Sequence, residues 1–194
     1  MNRPVLIPDS MTGIWPRQTI VVAPYSAAWP LQFERQAARI RKALKESALG
    51  IEHIGSTAVP GLAAKPVIDI HLAVENSADE GKYGPALEQA GFRLVIREPD
   101  WFEHRMYKGF DPEVNLHVFS QGCPELARCR YFRDWLRVAH ADRTLYGQFK
   151  QALALLEWDH VDDYSDAKRD IIDEIMSRAE ACGFHGEDRL TAKS

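Results

Sequence analysis

Hydrophobic residues alternate with polar ones in several short stretches, and each stretch predicts a β-strand. The clearest is 67–74, which is rich in β-branched residues, as a buried strand usually is. Shorter strands are predicted at 51–54 and 114–119, a strand pair at 92–97 and 101–108, and an edge strand at 19–23. Apolar residues at helical spacing predict helices at 29–49, 83–90, 124–141, 146–158 and 165–181, the last one capped by Ser165.

Two of these strands carry polar side chains at every second position. The period of two places Asp69 and His71 on one face of 67–74, and Asn115 with His117 on one face of 114–119. If the two strands are neighbours, Asp69, His71 and His117 form a set of one carboxylate and two imidazoles that suits a divalent metal. His117 could instead act as a general base, and a hydrogen-bonded polar pair at a strand end is the simpler alternative.

A short polar turn follows the strand at 51–54. Gly55 allows backbone N–H groups to turn toward an anion, and Ser56 and Thr57 add hydroxyl donors, so this turn is a candidate phosphate cradle. Lys65 stands just before the strand at 67–74, where its ammonium group could reach a phosphate; it could equally be a surface lysine.

Further candidate residues lie downstream. Arg105 could contact a phosphate or form an ion pair with Glu103 or Glu98. Each tyrosine of two pairs lies four residues before a lysine, which places both members on one helix face. The pairs are Tyr146 with Lys150 and Tyr164 with Lys168.

Composition limits the class of protein. With 194 residues and 45% hydrophobic content, the chain suits one compact domain at 19–183, preceded by an arm at 1–18 and followed by a loose tail at 184–194. A net charge of −4 and a pI near 6.0 argue against a general nucleic-acid binder. Three cysteines without metal-binding spacing indicate reduced thiols. No apolar stretch is long enough to span a membrane, and the N-terminus is unlike a signal peptide, so we expect a cytoplasmic protein.

Residues 51–70, which read IEHIGSTAVPGLAAKPVIDI, resemble the signature of the GrpB family of small bacterial proteins. Glu52 and His53 belong to this motif and join the candidate site residues. The resemblance continues at Pro24-Tyr25, 115–118 and 132–137 and covers roughly 20–178. It implies an α+β fold, with a nucleotidyltransferase-like mixed β-sheet, flanking helices and a helical C-terminal part from about residue 124. Some members are fused to dephospho-CoA kinase.

The same resemblance implies a chemistry. A nucleotidyltransferase needs a divalent metal (Mg, Mn or Zn) and a nucleotide triphosphate, for which ATP is the expected choice, together with a small-molecule acceptor. Lys150, Lys168 and the two tyrosines would meet the phosphates; packing of each tyrosine on its lysine stem is the alternative. The superfamily usually has a carboxylate where this chain has His71. The leading hypothesis is therefore metal-dependent nucleotidyl transfer or nucleotide-driven ligation, with a catalytically silent nucleotide- or CoA-like-ligand-binding module and a metallohydrolase as alternatives.

Overall fold

A six-stranded mixed β-sheet forms the centre of the computed structural model, which describes residues 5–6, 20–158 and 161–186. The strands, in chain order, are Val5–Leu6 (β1), Gly50–Ile54 (β2), Ile68–Val74 (β3), Arg93–Glu98 (β4), His104–Gly109 (β5) and Val114–Ser120 (β6). Their order across the sheet is β1-β4-β5-β6-β3-β2. The strands predicted at 51–54, 67–74 and 114–119 are confirmed to within one residue at each end.

Helices cover both faces and form the C-terminal part. They are Ala28–Leu44 (α1), Gly84–Gln89 (α2), Pro124–Val138 (α3), His140–Ala154 (α4), Val161–Asp166 (α5) and Arg169–Ala181 (α6), with short 3-10 turns at Lys45–Ser47, Ser56–Ala58 and Glu80–Lys82. None of the helices in the described ranges combines the length and the hydrophobicity that crossing a membrane requires.

Strands β3 and β6 run parallel, whereas the other pairs in the sheet are antiparallel. The register places Asp69 beside Asn115 and His71 beside His117. Registered neighbours project to the same side of a sheet. The predicted adjacency of the two polar strands is therefore confirmed.

The opposite face of the same strands carries the main core. Ile68, Ile70 and Leu72 of β3 are fully buried there, and they belong to one cluster with residues of α1, α2 and β6. Burying an aliphatic side chain stabilises a fold by about 1.5–3 kcal/mol. This face supplies much of the stability that holds the polar face in position.

A second, smaller core joins the C-terminal helices to the turn after β2. Val59, Leu62, Leu136, Tyr146 and Ile175 are its buried members. Because Val59 and Leu62 follow the Gly55–Ser56 turn, this core docks α3, α4 and α6 against the candidate phosphate cradle.

Several predicted elements differ from the structure. The helix predicted at 124–141 ends at Val138, and the helix predicted at 146–158 begins at His140 and ends at Ala154. Residues 20–23 form no regular strand, only an isolated bridge between Ala23 and Ala64, because Pro24 interrupts the run. Strand β5 begins at His104 rather than at 101, since Phe102 and Glu103 have positive φ angles of 55° and 52° and form a turn. The helix predicted at 165–181 is divided into α5 and α6, and Ser165 lies inside α5 rather than capping a helix.

The two predicted terminal segments are only partly described. Apart from Val5–Leu6, which pairs antiparallel with β4, the arm predicted at 1–18 lies outside the described residues. Of the predicted tail, 187–194 lies outside them as well. Phe184 packs its ring against Tyr131 and Trp135, each at a centroid distance of 5.2 Å, so the chain is attached to the body at this point.

Candidate functional site

The turn after β2 crosses closely over the carboxylate of Asp69. Gly55 has a φ angle of 70°, a left-handed conformation that favours glycine. A Cβ atom added to Gly55 would lie 2.5 Å from Asp69 Oδ2. This position therefore needs glycine for two reasons, and the turn and the carboxylate form one wall.

Asp69 is tied to the neighbouring strand and surrounded by positive charge. Asn115 Nδ2 donates to Asp69 Oδ1 at 2.8 Å. Burial raises the pKa of Asp69, whereas the Asn115 hydrogen bond and the charges of Lys168, Lys108 and Lys65 act in the opposite direction. Asn115 Oδ1 is buried and has no hydrogen-bond partner. The polar groups beside the turn thus include one carboxylate, one buried acceptor without a partner and several ammonium groups.

Lys150 of α4 reaches the turn from the helical side. Its side chain is 3% exposed, and its Nζ donates to Ser56 Oγ at 2.7 Å and to Ala63 O at 2.6 Å. An ammonium group has three N–H donors, so one remains for a ligand. Burial and the nearby charge of Lys168 lower the pKa of Lys150 to about 7, although Asp69 partly offsets them.

Lys168, in the break between α5 and α6, lies near the same carboxylate. Burial lowers the pKa of Lys168, Asp69 opposes that shift and Lys65 adds to it. Lys168 Nζ stands 4.5 Å from the centre of the Tyr164 ring, and Lys150 Nζ 4.8 Å from that of Tyr146. Both predicted tyrosine–lysine pairs are in contact, and their lysines approach the site while the tyrosines form its buried backing.

The two predicted histidines share the polar face with Asp69 but are not collected around a common point. The ring centroids of His71 and His117 are 6.0 Å apart in an edge-to-face arrangement. Burial and the charges of His104, Arg133 and Arg130 lower the pKa of His71 to about 3. Burial, followed by the charges of His104, His71 and Lys108, lowers the pKa of His117 well below its usual value. Both rings are neutral at ordinary pH.

The donor set does not fit a divalent ion. Across the described ranges, no group of three or more His, Cys, Asp or Glu side chains is arranged to hold a metal. Asp69 supplies a single carboxylate, and its charged neighbours are lysines, whereas a hard ion such as Mg²⁺ prefers several oxygen ligands. The predicted set of Asp69, His71 and His117 is thus not assembled.

The polar face also contains a chain of hydrogen bonds that the sequence pattern did not predict. Glu98 Oε2 accepts a hydrogen bond from His104 Nδ1 at 2.6 Å, and His104 Nε2 lies 3.0 Å from His117 Nδ1. The ring of His104 stacks on Phe119 and meets the edge of Trp101. The only signal in the sequence was the alternation that places His104 and Met106 on one face, and it did not reveal the partners.

Other predicted site residues have structural partners. Arg105 points to the other side of the sheet, in register with Val118, and pairs with Glu80 at 2.5 Å and Glu103 at 3.0 Å. The ion pair with Glu103, which was the alternative to a phosphate contact, is the arrangement observed for Arg105, and the phosphate contact has no support. Glu52 pairs with Arg130 and Arg133, which anchors α3 on β2.

His53 and Thr57 also hold the turn rather than face the site. His53 Nε2 lies 3.0 Å from Thr57 Oγ1, which donates to Val67 O at 3.2 Å. The His53 ring stacks on Phe33, and burial with the charges of Arg137 and Arg133 lowers its pKa to about 4. His53 is therefore a neutral donor that positions Thr57.

A cavity of about 150 Å³ lies on the helical side of the Gly55–Ser56 turn. It is lined mainly by apolar side chains of the second core, with Arg128, Cys129 and Arg133 among the others. Both guanidinium groups have carboxylate partners, Asp173 for Arg128 and Asp134 for Arg133. The space is of a size for a small organic group next to the turn.

Fold and site together define an α+β protein in which several ammonium groups surround one carboxylate. The GrpB family profile, described as "GrpB protein", matches residues 19–178, so this chain belongs to the GrpB family. The expected α+β class, a mixed β-sheet with flanking helices and a helical C-terminal part, is confirmed.

Individual relatives are similar over most of the chain. The UPF0157 protein BH1888 of Halalkalibacterium halodurans is 54% identical over 84% of this chain and 84% of its own. The crystal structure of conserved protein GrpB from Enterococcus faecalis has a TM-score of 0.72 at 32% identity, covering 85% of this chain and all of that one.

A dephospho-CoA kinase of Mycolicibacterium paratuberculosis is 30% identical over 62% of this chain. The match covers 36% of that kinase, as expected for the predicted fusion.

Proposed function

We propose that the cleft at Gly55, Asp69 and Lys150 binds the phosphate groups of a nucleotide, and that the protein transfers a nucleotidyl group to a small-molecule acceptor. The observation that supports this most is the buried ammonium group of Lys150, held on Ser56 Oγ at the turn that covers Asp69. Burial disfavours the charged form of lysine, so a buried ammonium group lowers the stability of the fold unless an anionic partner stabilises it.

The balance of charge favours an anionic ligand. Three ammonium groups, those of Lys65, Lys150 and Lys168, interact electrostatically with the single carboxylate of Asp69. Lys108, the fourth cation near Asp69, is already paired with Glu113 at 3.0 Å. The remaining excess of positive charge suits a phosphate chain, whose charge would also restore the protonated form of Lys150.

The unsatisfied oxygen of Asn115 points to a second part of the ligand. A buried acceptor without a donor costs about 1–3 kcal/mol. Asn115 Oδ1 is in that state beside Asp69. A hydroxyl or amino group of the acceptor substrate would satisfy it, and this contact would place the nucleophile next to the phosphates.

The lysines would supply the electrostatic part of the reaction. Phosphoryl and nucleotidyl transfer depend mainly on positioning and on stabilising charge that develops on phosphate oxygens. Lys150 and Lys168 are preorganised for that role by Ser56, Ala63 and the Tyr164 ring. Since the donor set does not fit a divalent ion, we assign no step to a metal.

Calorimetric titration tests the binding half of the proposal. ATP, GTP and CTP are titrated into the protein without metal and then with Mg²⁺ or Mn²⁺. We expect micromolar to millimolar binding of at least one nucleotide without metal, accompanied by proton uptake near pH 7 to 8, since phosphate raises the pKa of Lys150.

The variant Lys150→Met should lose this binding and the proton uptake, whereas Lys42→Met, at an exposed lysine of α1, should retain both. Binding that is unchanged in Lys150→Met would contradict the proposal. Binding that requires Mn²⁺ or Mg²⁺ would instead support the metal dependence expected from the family resemblance.

A second candidate is a module that binds a nucleotide or a CoA-like ligand without transferring anything. The specific observation in its favour is the single carboxylate at a place where the superfamily usually has more than one. Transfer of label from α-phosphate-labelled nucleotide to a panel of alcohol and amine acceptors separates the two. Binding without transfer to any acceptor favours the silent module.

A further inference from the structure

We infer that Glu98, His104 and His117 form a proton relay in which His117 takes a proton from the acceptor substrate and His104 carries the resulting positive charge. This inference rests on the proposed function for the identity of the substrate. The relay itself rests on two short contacts, Glu98 Oε2 to His104 Nδ1 at 2.6 Å and His104 Nε2 to His117 Nδ1 at 3.0 Å.

The direction of the first hydrogen bond is fixed by chemistry. An ionised carboxylate only accepts, so His104 must carry a proton on Nδ1. The side chain of Glu98 is 25% exposed and that of His104 3% exposed. The carboxylate therefore connects a buried imidazole to solvent.

The second hydrogen bond then has two possible states. When His104 is neutral, its Nε2 accepts from His117 Nδ1–H, and His117 Nε2 carries a lone pair. When His104 is an imidazolium ion, its Nε2–H donates to His117 Nδ1, and the His117 proton is on Nε2. These two states differ by one proton and by the tautomer of His117.

Conversion of the first state into the second is a proton transfer that balances. The O–H or N–H bond of the acceptor breaks, and a bond to His117 Nε2 forms. The proton on His117 Nδ1 passes to His104 Nε2, so His117 remains neutral and the charge comes to rest beside Glu98. The proton later leaves through the exposed edge of Glu98.

The surroundings of the two rings explain why the charge belongs on His104. His117 is faced by His71 of β3 and by His104 and Lys108 of β5, and among the described residues no carboxylate is recorded in contact with it. Burial and these neighbours lower its pKa. His104 has the Glu98 carboxylate at hydrogen-bond distance and lies between Trp101 and Phe119. A poorly basic His117 alone would be a weak general base, and coupling to His104 removes that weakness.

The location of the relay connects it to the proposed site. His117 lies two residues after Asn115 on the same face of β6, and Asn115 contacts Asp69. The unsatisfied Asn115 Oδ1 would hold the acceptor group whose proton His117 takes. His117 thereby becomes the catalytic residue, and His104 and Glu98 are positioning residues.

Nitrogen-15 spectra of the full-length protein with labelled histidine test the relay without any substrate. Long-range proton–nitrogen correlations report which ring nitrogen of each of the 7 histidines carries the proton. The signals of His117 are identified by their loss in His117→Gln. We expect His117 to be protonated on Nδ1 and unprotonated on Nε2 near pH 7.

The variant His104→Phe keeps an aromatic ring between Trp101 and Phe119 but removes the acceptor. His117 should then lose its single tautomer, whereas His140→Gln, at an exposed residue, should leave the signals unchanged. If His104→Phe does not fold, Glu98→Gln at a partly exposed side chain serves instead. It should lower the population of the Nδ1–H tautomer, with Glu103→Gln as the matched control.

A wild-type His117 that carries its proton on Nε2 would overturn the relay, as would a tautomer that does not respond to His104→Phe or Glu98→Gln. Transfer activity gives a second measurement. With an alcohol acceptor, we expect His104→Phe to lower kcat about a hundredfold with little change in KM, and the pH profile to change. If the wild type transfers nothing, the proposed function fails, and the tautomer result still decides the relay.

Discussion

The two faces of β3 and β6 differ in almost every property although they belong to the same strands. One face consists of Ile68, Ile70 and Leu72 with their neighbours from β6, packed under α1 and α2. The other carries Asp69, Asn115, His71 and His117. The apolar face stabilises the fold, and the polar face contains buried groups whose charged forms burial disfavours. The comparison shows that apolar burial on one face of a strand can offset the unfavourable burial of polar groups on its other face.

The largest expected effect comes from the apolar face. Leu116 is fully buried in the main core. Leu116→Ala should lower the free energy of unfolding by about 2–5 kcal/mol, because it removes buried methyl groups and leaves a cavity. Urea denaturation measures this change. In the folded fraction, nucleotide affinity should remain within about twofold; a loss of affinity larger than that would mean that the two faces are not separable.

Gly55→Ala tests the contact between the turn and the polar face. The new Cβ would meet Asp69 Oδ2 and would occupy a left-handed conformation. We expect a loss of about 2–3 kcal/mol of stability from strain and displacement, together with a loss of nucleotide binding of at least about tenfold. Gly122→Ala is the matched control, since it also has a positive φ but has open space around it. Equal loss of binding in both variants would contradict a specific role for Gly55.

Lys150 should make stability depend on pH. Its folded pKa of about 7 lies below the ordinary value of 10.5, so the unfolded chain binds more protons between these values and stability rises with pH in that window. From pH 7 to pH 9 the contribution is about 2 kcal/mol. Urea midpoints at the two pH values should show this rise in the wild type and in Lys42→Met, but not in Lys150→Met. A rise of the same size in Lys150→Met would show that the pH dependence of stability does not come from Lys150.

His53 should produce a somewhat smaller effect in acid. Its folded pKa of about 4 lies below the usual 6.5, so its contribution to stability is present above pH 6.5 and is lost as pH falls toward 4. Between pH 7 and pH 5 we expect a loss of about 1.5 kcal/mol. In His53→Phe, which retains a ring against Phe33, this part of the loss should disappear, while His140→Gln should behave like the wild type. Identical acid profiles for all three proteins would refute the assignment.

The polar pairs could be predicted because they obey local rules. The alternation in 67–74 and 114–119 fixes which residues share a face, and Gly55-Ser56 identifies a turn. The pairing of β3 with β6 was a hypothesis that needed the structure, as it joins residues 46 positions apart. The lysines of α4 and of the α5–α6 break were identified by their spacing from tyrosines, but their approach to Asp69 depends on how the helices dock.

What the sequence could not show depends on tertiary contacts. The Glu98–His104–His117 chain requires the turn at 101–103, which has positive φ angles at two residues without glycine and was predicted to be strand. The break between α5 and α6 contains neither glycine nor proline, so no local signal indicates it. Metal coordination by Asp69, His71 and His117 required convergence of three side chains, which sharing a face does not guarantee.

The parallel pairing of β3 with β6 also has a consequence for synthesis on the ribosome. The β4–β5 hairpin lies between the two strands in the chain, and β6 pairs with both β5 and β3. A nascent polypeptide that ends before Val114 contains Asp69 but lacks its registered neighbours on β6, Asn115 among them, and His117. The polar row of Asp69, His71, Asn115 and His117 is thus complete only when β6 has been synthesised.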